Sequence, residues 1–179
     1  NEQEEFIDDL LRMNGSSAGA RPKILVSIDS KTKKFKTSDN NPSHLHDDWI
    51  VKFQSTLDPK DIGPIEYAYH LMALEAKMVV PEAKLFKSKR GPGYFGVKRF
   101  DRTANSFLHV HTLSGLLHAD HRIPSLDYET VMKATLLLTK NMNEVEKQFR
   151  NVVFNVFAHN RDDHAKNFSF IMDEKGSWS

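Results

Sequence analysis

An acidic residue and an amide side chain stand five positions apart near the end of the chain, in the segment Arg161–Asn167 (RDDHAKN). A carboxylate such as that of Asp162 can accept the proton of an attacking hydroxyl group. The amide oxygen of Asn167 can bind a hard cation without repelling nearby phosphates. Asp162 fits better than Asp163, because only Asp162 stands five positions before Asn167. The pattern indicates phosphoryl transfer, and the alternative is a polar loop that caps the preceding helix.

A lysine that could hold phosphates lies much earlier, in the apolar segment Trp49–Phe53 (WIVKF). Protein kinases, whose catalytic loop has the same Asp-to-Asn spacing, use a lysine on an early strand for this purpose. Strand alternation places Lys52 on the same face as Ile50. Glu66 in the next predicted helix is the expected carboxylate partner, with Glu75 as second choice. The alternative is a strand-edge lysine whose aliphatic stem covers apolar surface.

A loop of small residues, Ser16–Pro22, precedes the first predicted strand and could offer backbone N–H groups to phosphates. Its single glycine matches the glycine-rich phosphate-binding pattern poorly, so an ordinary connecting loop is the alternative.

The elements that must position these residues differ between the two parts of the chain. The first part is predicted to be rich in strands. Its apolar patterns predict strands at Lys23–Asp29, shortly after Ser30–Lys34, and at Trp49–Phe53, Lys84–Phe86 and Tyr94–Phe100. They also predict the helices Asn1–Met13 and Pro64–Met78. In the second helix, Ile65, Tyr69, Met72 and Ala76 lie on one side.

From His109 onward the pattern predicts helices, namely Leu113–Leu117, Asp127–Thr139 and Asn143–Ala158, followed by a strand, Asn167–Met172, and a tight turn. The third helix is strongly amphipathic, with an apolar side made of Val145, Phe149, Val152, Val153, Val156 and Phe157. The twelve phenylalanines are expected to lie mostly in the core. This order predicts an α+β fold with two lobes, a strand-rich lobe over residues 1–100 and the start of a helical lobe over 101–179.

Composition excludes several classes of protein. The 25 basic and 24 acidic side chains give a net charge of +1, which argues against a surface dedicated to nucleic acid. The absence of cysteine excludes disulfide scaffolds, zinc–thiolate sites, iron–sulfur clusters and a cysteine nucleophile. No apolar run reaches the roughly 18 residues of a membrane span, and we expect a cytoplasmic protein with no membrane partner.

Histidines offer a rival interpretation. His109 and His111 would lie on the same side of a strand, and His118, His121, His159 and His164 occur nearby. A metal-dependent hydrolase would need a third fixed ligand, which the spacing does not supply. We therefore expect most of these histidines to be surface or structural groups.

Four segments together carry a resemblance to a known family: Ser16–Lys23 (SSAGARPK), Trp49–Phe53 (WIVKF), Val97–Arg102 (VKRFDR) and Asp162–Ser169 (DDHAKNFS). In order and approximate spacing they resemble the HipA-like serine/threonine kinases, the toxins of bacterial toxin–antitoxin pairs. The resemblance implies a two-lobed protein-kinase-like fold that binds ATP and Mg²⁺.

The resemblance also implies roles for individual residues. Ser16 would be an autophosphorylated loop serine, and Asp162 and Asn167 would be the catalytic base and a magnesium ligand. The remaining implied nucleotide contacts are the loop residues Ser17, Ala18, Gly19, Ala20 and Arg21 with Lys23, the phosphate-pairing Lys52 supported by Glu66, the adenine-reading segment Lys98 to Phe100, Asp101 near the ribose, and His164 and Lys166 along the catalytic loop.

Partners follow from the resemblance as well. Family members phosphorylate a glutamyl-tRNA synthetase or a similar protein. They also pair with a helix-turn-helix antitoxin, and they contact DNA only through that antitoxin. A nucleotide-binding pseudokinase or regulatory module that docks the antitoxin–DNA complex is the alternative function.

The chain departs from the family pattern in two respects. Asp163 stands where many relatives have glycine, and the second magnesium aspartate of the family would lie beyond Ser179. We therefore expect the sequence to be a fragment that transfers phosphate poorly or not at all.

Overall fold

A computed structural model describes residues 6–10, 21–38, 45–89, 91–103, 106–118, 127–160 and 164–179. The elements are β1 (Lys23–Asp29), β2 (Phe35–Thr37), β3 (His46–Lys52), α1 (Ile62–Glu75), β4 (Ala83–Phe86), β5 (Tyr94–Lys98), β6 (His109–Thr112), α2 (Leu113–Leu116), α3 (Tyr128–Thr139), α4 (Met142–Phe157) and β7 (Ser169–Met172). Residues 6–10 are also helical, and the rest of the predicted first helix lies outside the described residues.

The described residues form two compact units. One, here called the sheet unit, falls within Asn1–Ala76 and Val80–Ser106. The other, here called the helical unit, falls within Lys77–Val79 and Phe107–Ser179. Each unit has its own hydrophobic cluster.

The sheet unit is built on five antiparallel strands in the order β2-β1-β3-β5-β4. Apolar residues alternate along β1 and β3, so one face of the sheet collects them. Residues 6–10 cover this face through Ile7, which is 1% exposed. The buried cluster comprises Ile7, Ile24, Val26, Ile28, Trp49, Val51, Phe53 and Phe86.

The helical unit has a smaller core. Strands β6 and β7 pair antiparallel, with His109 opposite Met172 and Thr112 opposite Ser169. Its buried cluster is Leu113, Val131 and Phe170, with partly buried Leu116, Ala134, Leu138, Phe168 and Trp178 around it. The side chains of Asp127 and Asn141 accept backbone hydrogen bonds at the starts of α3 and α4.

Several sequence-based expectations need correction. Residues from His109 to Thr112 form a strand instead of the start of the helical region. This short polar segment is extended because β7, more than fifty residues later, supplies its hydrogen-bond partners. Strand β5 ends at Lys98, two residues before the predicted end. The backbone N–H of Arg99 still donates to the carbonyl of Asp48 on β3, and a turn begins at Phe100.

The side of α1 that carries Ile65, Tyr69, Met72 and Ala76 is not the side that the structure buries. Its buried residues are Gly63 and Ala73, whereas Tyr69 and Met72 are 44% and 52% exposed. Gly63 lies so close to the carbonyl group of Gly93 that a Cβ atom would collide with it. The small residue therefore sets the helix face that approaches the sheet, in place of the larger apolar ones.

The expectation that the phenylalanines lie in the core fails for α4. Val152 is its buried residue, while Phe149 and Phe157 are 58% and 82% exposed. The apolar stripe that the sequence shows is present on this helix, but most of it is not covered in the described part of the chain.

Candidate functional site

The amino group of Lys52 lies 3.4 Å from both carboxylate oxygens of Glu66. Lys52 is the last residue of β3, and Glu66 occupies the second turn of α1. The Lys52 amino group also lies 5.4 Å from the centre of the Phe95 ring. Glu75, the second choice for this partner, is the last residue of α1. The structure thus brings together a strand lysine and a helix glutamate at one end of the sheet.

A second lysine stands directly opposite Lys52. Lys23 is its cross-strand partner on β1, and partners in an antiparallel pair project to the same face. Two like charges in this position repel each other, so the arrangement favours a nearby anion. The Lys23 and Lys52 side chains therefore form a small cationic edge that Glu66 only partly neutralises.

Arg21 adds a contact that the sequence did not suggest. Its guanidinium group lies 2.9 to 3.1 Å from the carboxylate of Asp58 and 3.0 Å from Oε1 of Glu66. The backbone N–H of Ser55 and the guanidinium of Arg21 hold the pKa of Asp58 below its usual value. Because 37 and 45 residues separate Arg21 from its two partners, no local pattern could have predicted these pairs.

A row of apolar side chains crosses the same face of the sheet. Leu25 lies opposite Ile50, and Ile50 lies opposite Val97. All three residues are half-buried, and Ile50 precedes Lys52 by two positions on β3. The result is a half-buried apolar strip beside the lysine, of the kind that could pack against an aromatic base. Alternation predicted that Ile50 shares a face with Lys52, whereas Leu25 and Val97 could be assigned only once the strand register was known.

The segment after β5 holds the predicted adenine-reading residues. The backbone N–H of Lys98 donates to the carbonyl of Glu82, and its side chain lies 2.6 Å from Asp47. Phe100 is 51% exposed in the turn that follows. The structure therefore places the Lys98 side chain in a surface ion pair.

Asp101 is held by two arginines. Nε and Nη2 of Arg99 donate to its two oxygens at 2.8 and 2.5 Å, and Arg102 donates at 2.9 Å. Burial raises the pKa of Asp101, but the hydrogen bonds and charges of these arginines outweigh burial and hold the pKa below its ordinary value. Its role near a ribose stays a prediction, and the contacts described give it a structural role in this turn.

The described part of the predicted catalytic loop is anchored to α2. The backbone N–H groups of Leu113 and Ser114 donate to the carbonyls of Phe168 and Ala165. Ala165 is buried, whereas His164, Lys166 and Asn167 are exposed. The loop side chains that could contact a ligand are thus at the surface, while hydrogen bonds from α2 hold the loop backbone in place.

The other predicted site residues lie outside the described residues, namely Asp162 with Asp163 and the loop residues Ser16, Ser17, Ala18, Gly19 and Ala20.

The histidine alternative finds limited support. The rings of His109 and His111 lie 5.8 Å apart on β6, and Trp178 packs against His109. Within the described ranges no three histidine, aspartate or glutamate side chains gather as metal ligands would.

The described helices include none that is long and apolar enough to cross a membrane.

A family model described as the HipA-like C-terminal domain matches residues 15–179. The chain belongs to the HipA-like family. No curated protein matches it in a sequence comparison. Among solved structures, a chain of the Shewanella oneidensis MR-1 toxin–antitoxin complex of HipA, HipB and operator DNA matches with a TM-score of 0.68 and 20% identity.

That structural likeness covers 93% of this chain and 42% of the solved chain, so the sequence spans less than half of the solved chain's length. It confirms the predicted α+β fold of the protein-kinase-like type. The family predicted from four short motifs is also confirmed.

Proposed function

We propose that this HipA-like chain carries nucleotide-binding and catalytic parts of an ATP-dependent serine/threonine-protein kinase. The observation that carries the proposal is the Lys52–Glu66 pair beside the apolar strip of Leu25, Ile50 and Val97. Glu66 steadies a lysine that would otherwise move freely, and the strip offers a surface for a base on the same face of the sheet.

In this proposal the adenine ring packs on the apolar strip, and the phosphates bind at the cationic edge formed by Lys23 and Lys52. Lys52 pairs with the α/β-phosphates, as the strand lysine of protein kinases does. Lys23 stands opposite it and reduces the cost of bringing phosphate charges to this edge. The segment Lys98 to Phe100 is assigned to the edge of the base. The backbone N–H groups of Lys98 and Arg99 already donate to the carbonyls of Glu82 and Asp48, so other backbone groups of the segment would make this contact.

Transfer itself is assigned to the loop that ends at Asn167. Asp162 accepts the proton of the attacking serine hydroxyl, whose oxygen forms a bond to the γ-phosphorus while the bond from that phosphorus to its bridging oxygen breaks and ADP leaves. Asn167 is exposed and carries an amide oxygen of the kind that Mg²⁺ binds, so it fits the role of a metal ligand. Mg²⁺ would supply charge neutralisation for the transferred phosphoryl group. His164 and Lys166 line the same loop.

For biological context we propose a toxin of a toxin–antitoxin pair acting in the cytoplasm. The solved relative is described together with HipB and operator DNA, and the family assignment points in the same direction. The proposed partner is a helix-turn-helix antitoxin, and the proposed targets are Ser16 and a protein resembling glutamyl-tRNA synthetase.

Nucleotide binding is the first test. Titration with a fluorescent ATP analogue in the presence of Mg²⁺ should show saturable binding to the chain. Lys52→Gln should weaken that binding by about tenfold or more, because a charge-assisted contact to phosphate is lost. Lys31→Gln, in the exposed turn after β1, is the matched control and should bind as the unchanged protein does. Absence of binding, or equal binding by Lys52→Gln, would contradict the proposal.

Transfer is the second test, and it uses the protein expressed from its complete gene. Incubation with ATP and Mg²⁺ should place phosphate on Ser16, as read by mass spectrometry, and Asp162→Asn should lower the rate by about a hundredfold or more. Transfer at an undiminished rate in Asp162→Asn would refute the base assignment. Nucleotide binding without any transfer would favour the pseudokinase alternative.

A further inference from the structure

We infer that Arg21 is a positioning residue that sets the place of Glu66, and through Glu66 the place of Lys52. The inference rests on the proposed nucleotide site. It concerns contacts of the Arg21 side chain with Asp58 and Glu66, whereas the family resemblance implied only that Arg21 contacts the nucleotide.

The first observation is the fork geometry. Nε and Nη2 of Arg21 bind the Asp58 carboxylate, and Nη1 binds Oε1 of Glu66 at 3.0 Å. The planar guanidinium can serve two carboxylates at once because its donors point in fixed directions. The side chains of Asp58 and Glu66 are 11% and 18% exposed, whereas that of Arg21 is 46% exposed, so the carboxylates are shielded from water on one side and the guanidinium remains partly solvated.

The second observation is that hydrogen bonds to the backbone hold both Asp58 and the segment that carries Arg21. Asp58 accepts the backbone N–H of Ser55 at 2.8 Å, which ties its carboxylate to the turn between β3 and α1. Next to Arg21, the carbonyl of Pro22 accepts the backbone N–H of Phe53 at 2.8 Å. Arg21 therefore transmits the position of a fixed turn to the glutamate on α1.

The third observation is that one carboxylate serves two cations. Oε1 of Glu66 lies 3.0 Å from Arg21 and 3.4 Å from the Lys52 amino group. Because Arg21 takes part of the carboxylate's hydrogen-bonding capacity, Lys52 is steadied without being fully neutralised. Without Arg21, Glu66 is free to turn wholly toward Lys52, which would draw the lysine away from a phosphate.

The test compares Arg21→Lys and Asp58→Asn with the unchanged protein, again expressed from its complete gene. A lysine keeps the charge but cannot bridge two carboxylates, and Asp58→Asn leaves Arg21 present but weakens its anchor. Arg150→Lys is the matched control, because it alters an exposed arginine–glutamate pair on α4 in the helical unit. The readouts are kcat and KM for ATP in the Ser16 phosphorylation assay, binding of the fluorescent ATP analogue, and thermal unfolding.

Both sheet-unit variants should lose about tenfold in kcat. Their binding of the ATP analogue should also weaken, but by less than that of Lys52→Gln, because Lys52 keeps its charge and is only displaced. The double variant should lose no more than the worse single one, because both changes break the same connection. Unfolding temperatures should shift no more than in Arg150→Lys, which separates positioning from general destabilisation.

The inference would be overturned by an undiminished kcat in Asp58→Asn, or by losses that multiply in the double variant. The proposed function would not be affected by either result as long as the unchanged protein binds ATP. An unchanged protein that neither binds nor transfers nucleotide would overturn both. If Arg21→Lys folds poorly, Asp58→Asn alone decides the question.

Discussion

The sheet unit and the helical unit have equally clear apolar patterns in their sequences, but the apolar side chains are buried in the first and largely exposed on α4 of the second. In the sheet unit, the alternating residues of β1 and β3 are buried, and Trp49 is 1% exposed. In the helical unit, the most amphipathic helix, α4, exposes Phe149, Val156 and Phe157 by 58%, 56% and 82%. A pattern predicts the element and its apolar side, but burial requires a second element to cover that side.

The difference matters for stability because the hydrophobic contribution scales with the apolar area removed from water, about 25 cal/mol per Å². The side chains of the sheet cluster lose nearly all their exposed area, whereas those along α4 keep much of theirs. Equal substitutions in the two units should therefore change the free energy of unfolding by unequal amounts.

Trp49→Ala should destabilise the sheet unit by about 3 to 5 kcal/mol, because it removes the largest fully buried side chain and leaves a cavity. Phe157→Ala on α4 is the counterpart and should change the free energy of unfolding by less than about 0.5 kcal/mol. Urea unfolding followed by far-ultraviolet circular dichroism measures both. Similar costs for the two variants would show that α4 is covered in solution.

Gly63→Ala should cost about 1 to 3 kcal/mol, since the added Cβ atom collides with the Gly93 carbonyl and forces backbone to move. Gly91→Ala is the matched control because no atom lies within 4 Å of its would-be Cβ atom. The comparison uses thermal unfolding. A stabilised Gly63→Ala variant would mean that helix propensity outweighs the collision.

Asp101→Asn should reduce stability at neutral pH by about 1 kcal/mol, because the charged hydrogen bonds with Arg99 and Arg102 are weakened. The folded-state pKa of Asp101 is lowered, so its charged form stabilises the fold above the ordinary aspartate pKa of about 3.9. This contribution is lost as the pH falls through the lowered folded-state pKa.

The difference between Asp101→Asn and the unchanged protein should therefore shrink in urea unfolding below about pH 4. Asp61→Asn, at a helix start where the side chain makes no capping hydrogen bond, is the control and should show little difference at either pH. A constant difference across this range would exclude the charge of Asp101 as its cause.

Asn141→Ala should cost about 0.5 to 1 kcal/mol, less than the other changes apart from the exposed-site controls, through the loss of the side-chain cap at the start of α4. The loss should appear mainly as lower helical signal on mild heating, because α4 has little packing to hold its first turn. A loss as large as that of Trp49→Ala would mean that the cap governs the whole helical unit.

Much of the fold follows from local patterns. Strand β1 has the predicted bounds, and α3 and α4 differ from prediction by one residue at each altered end. Their periodicities and caps are local, so neighbours in sequence determine them. The helical pattern did not separate β6 from the helices that follow, because its partner β7 lies far along the chain. The packing face of α1 was not apparent because a close backbone contact at Gly63 determines it.

The candidate site divides in the same way. Lys52 and Glu66 could be paired in advance because they are 14 residues apart, on consecutive elements. The contribution of Arg21 and Asp58, and the alignment of Leu25 and Val97 with Ile50, depend on strand register and on contacts between distant segments. Composition and spacing do not contain that information.

The chain has two tryptophans, and each unit contains one. Trp49 lies in the sheet core with the amino group of Lys84 4.5 Å from its ring centre, and Trp178 contacts the ring of His109. Their emission spectra should therefore differ, with Trp49 toward shorter wavelengths. Replacing either one with phenylalanine leaves a single fluorophore, so the melting of each unit can be followed separately within the same intact chain.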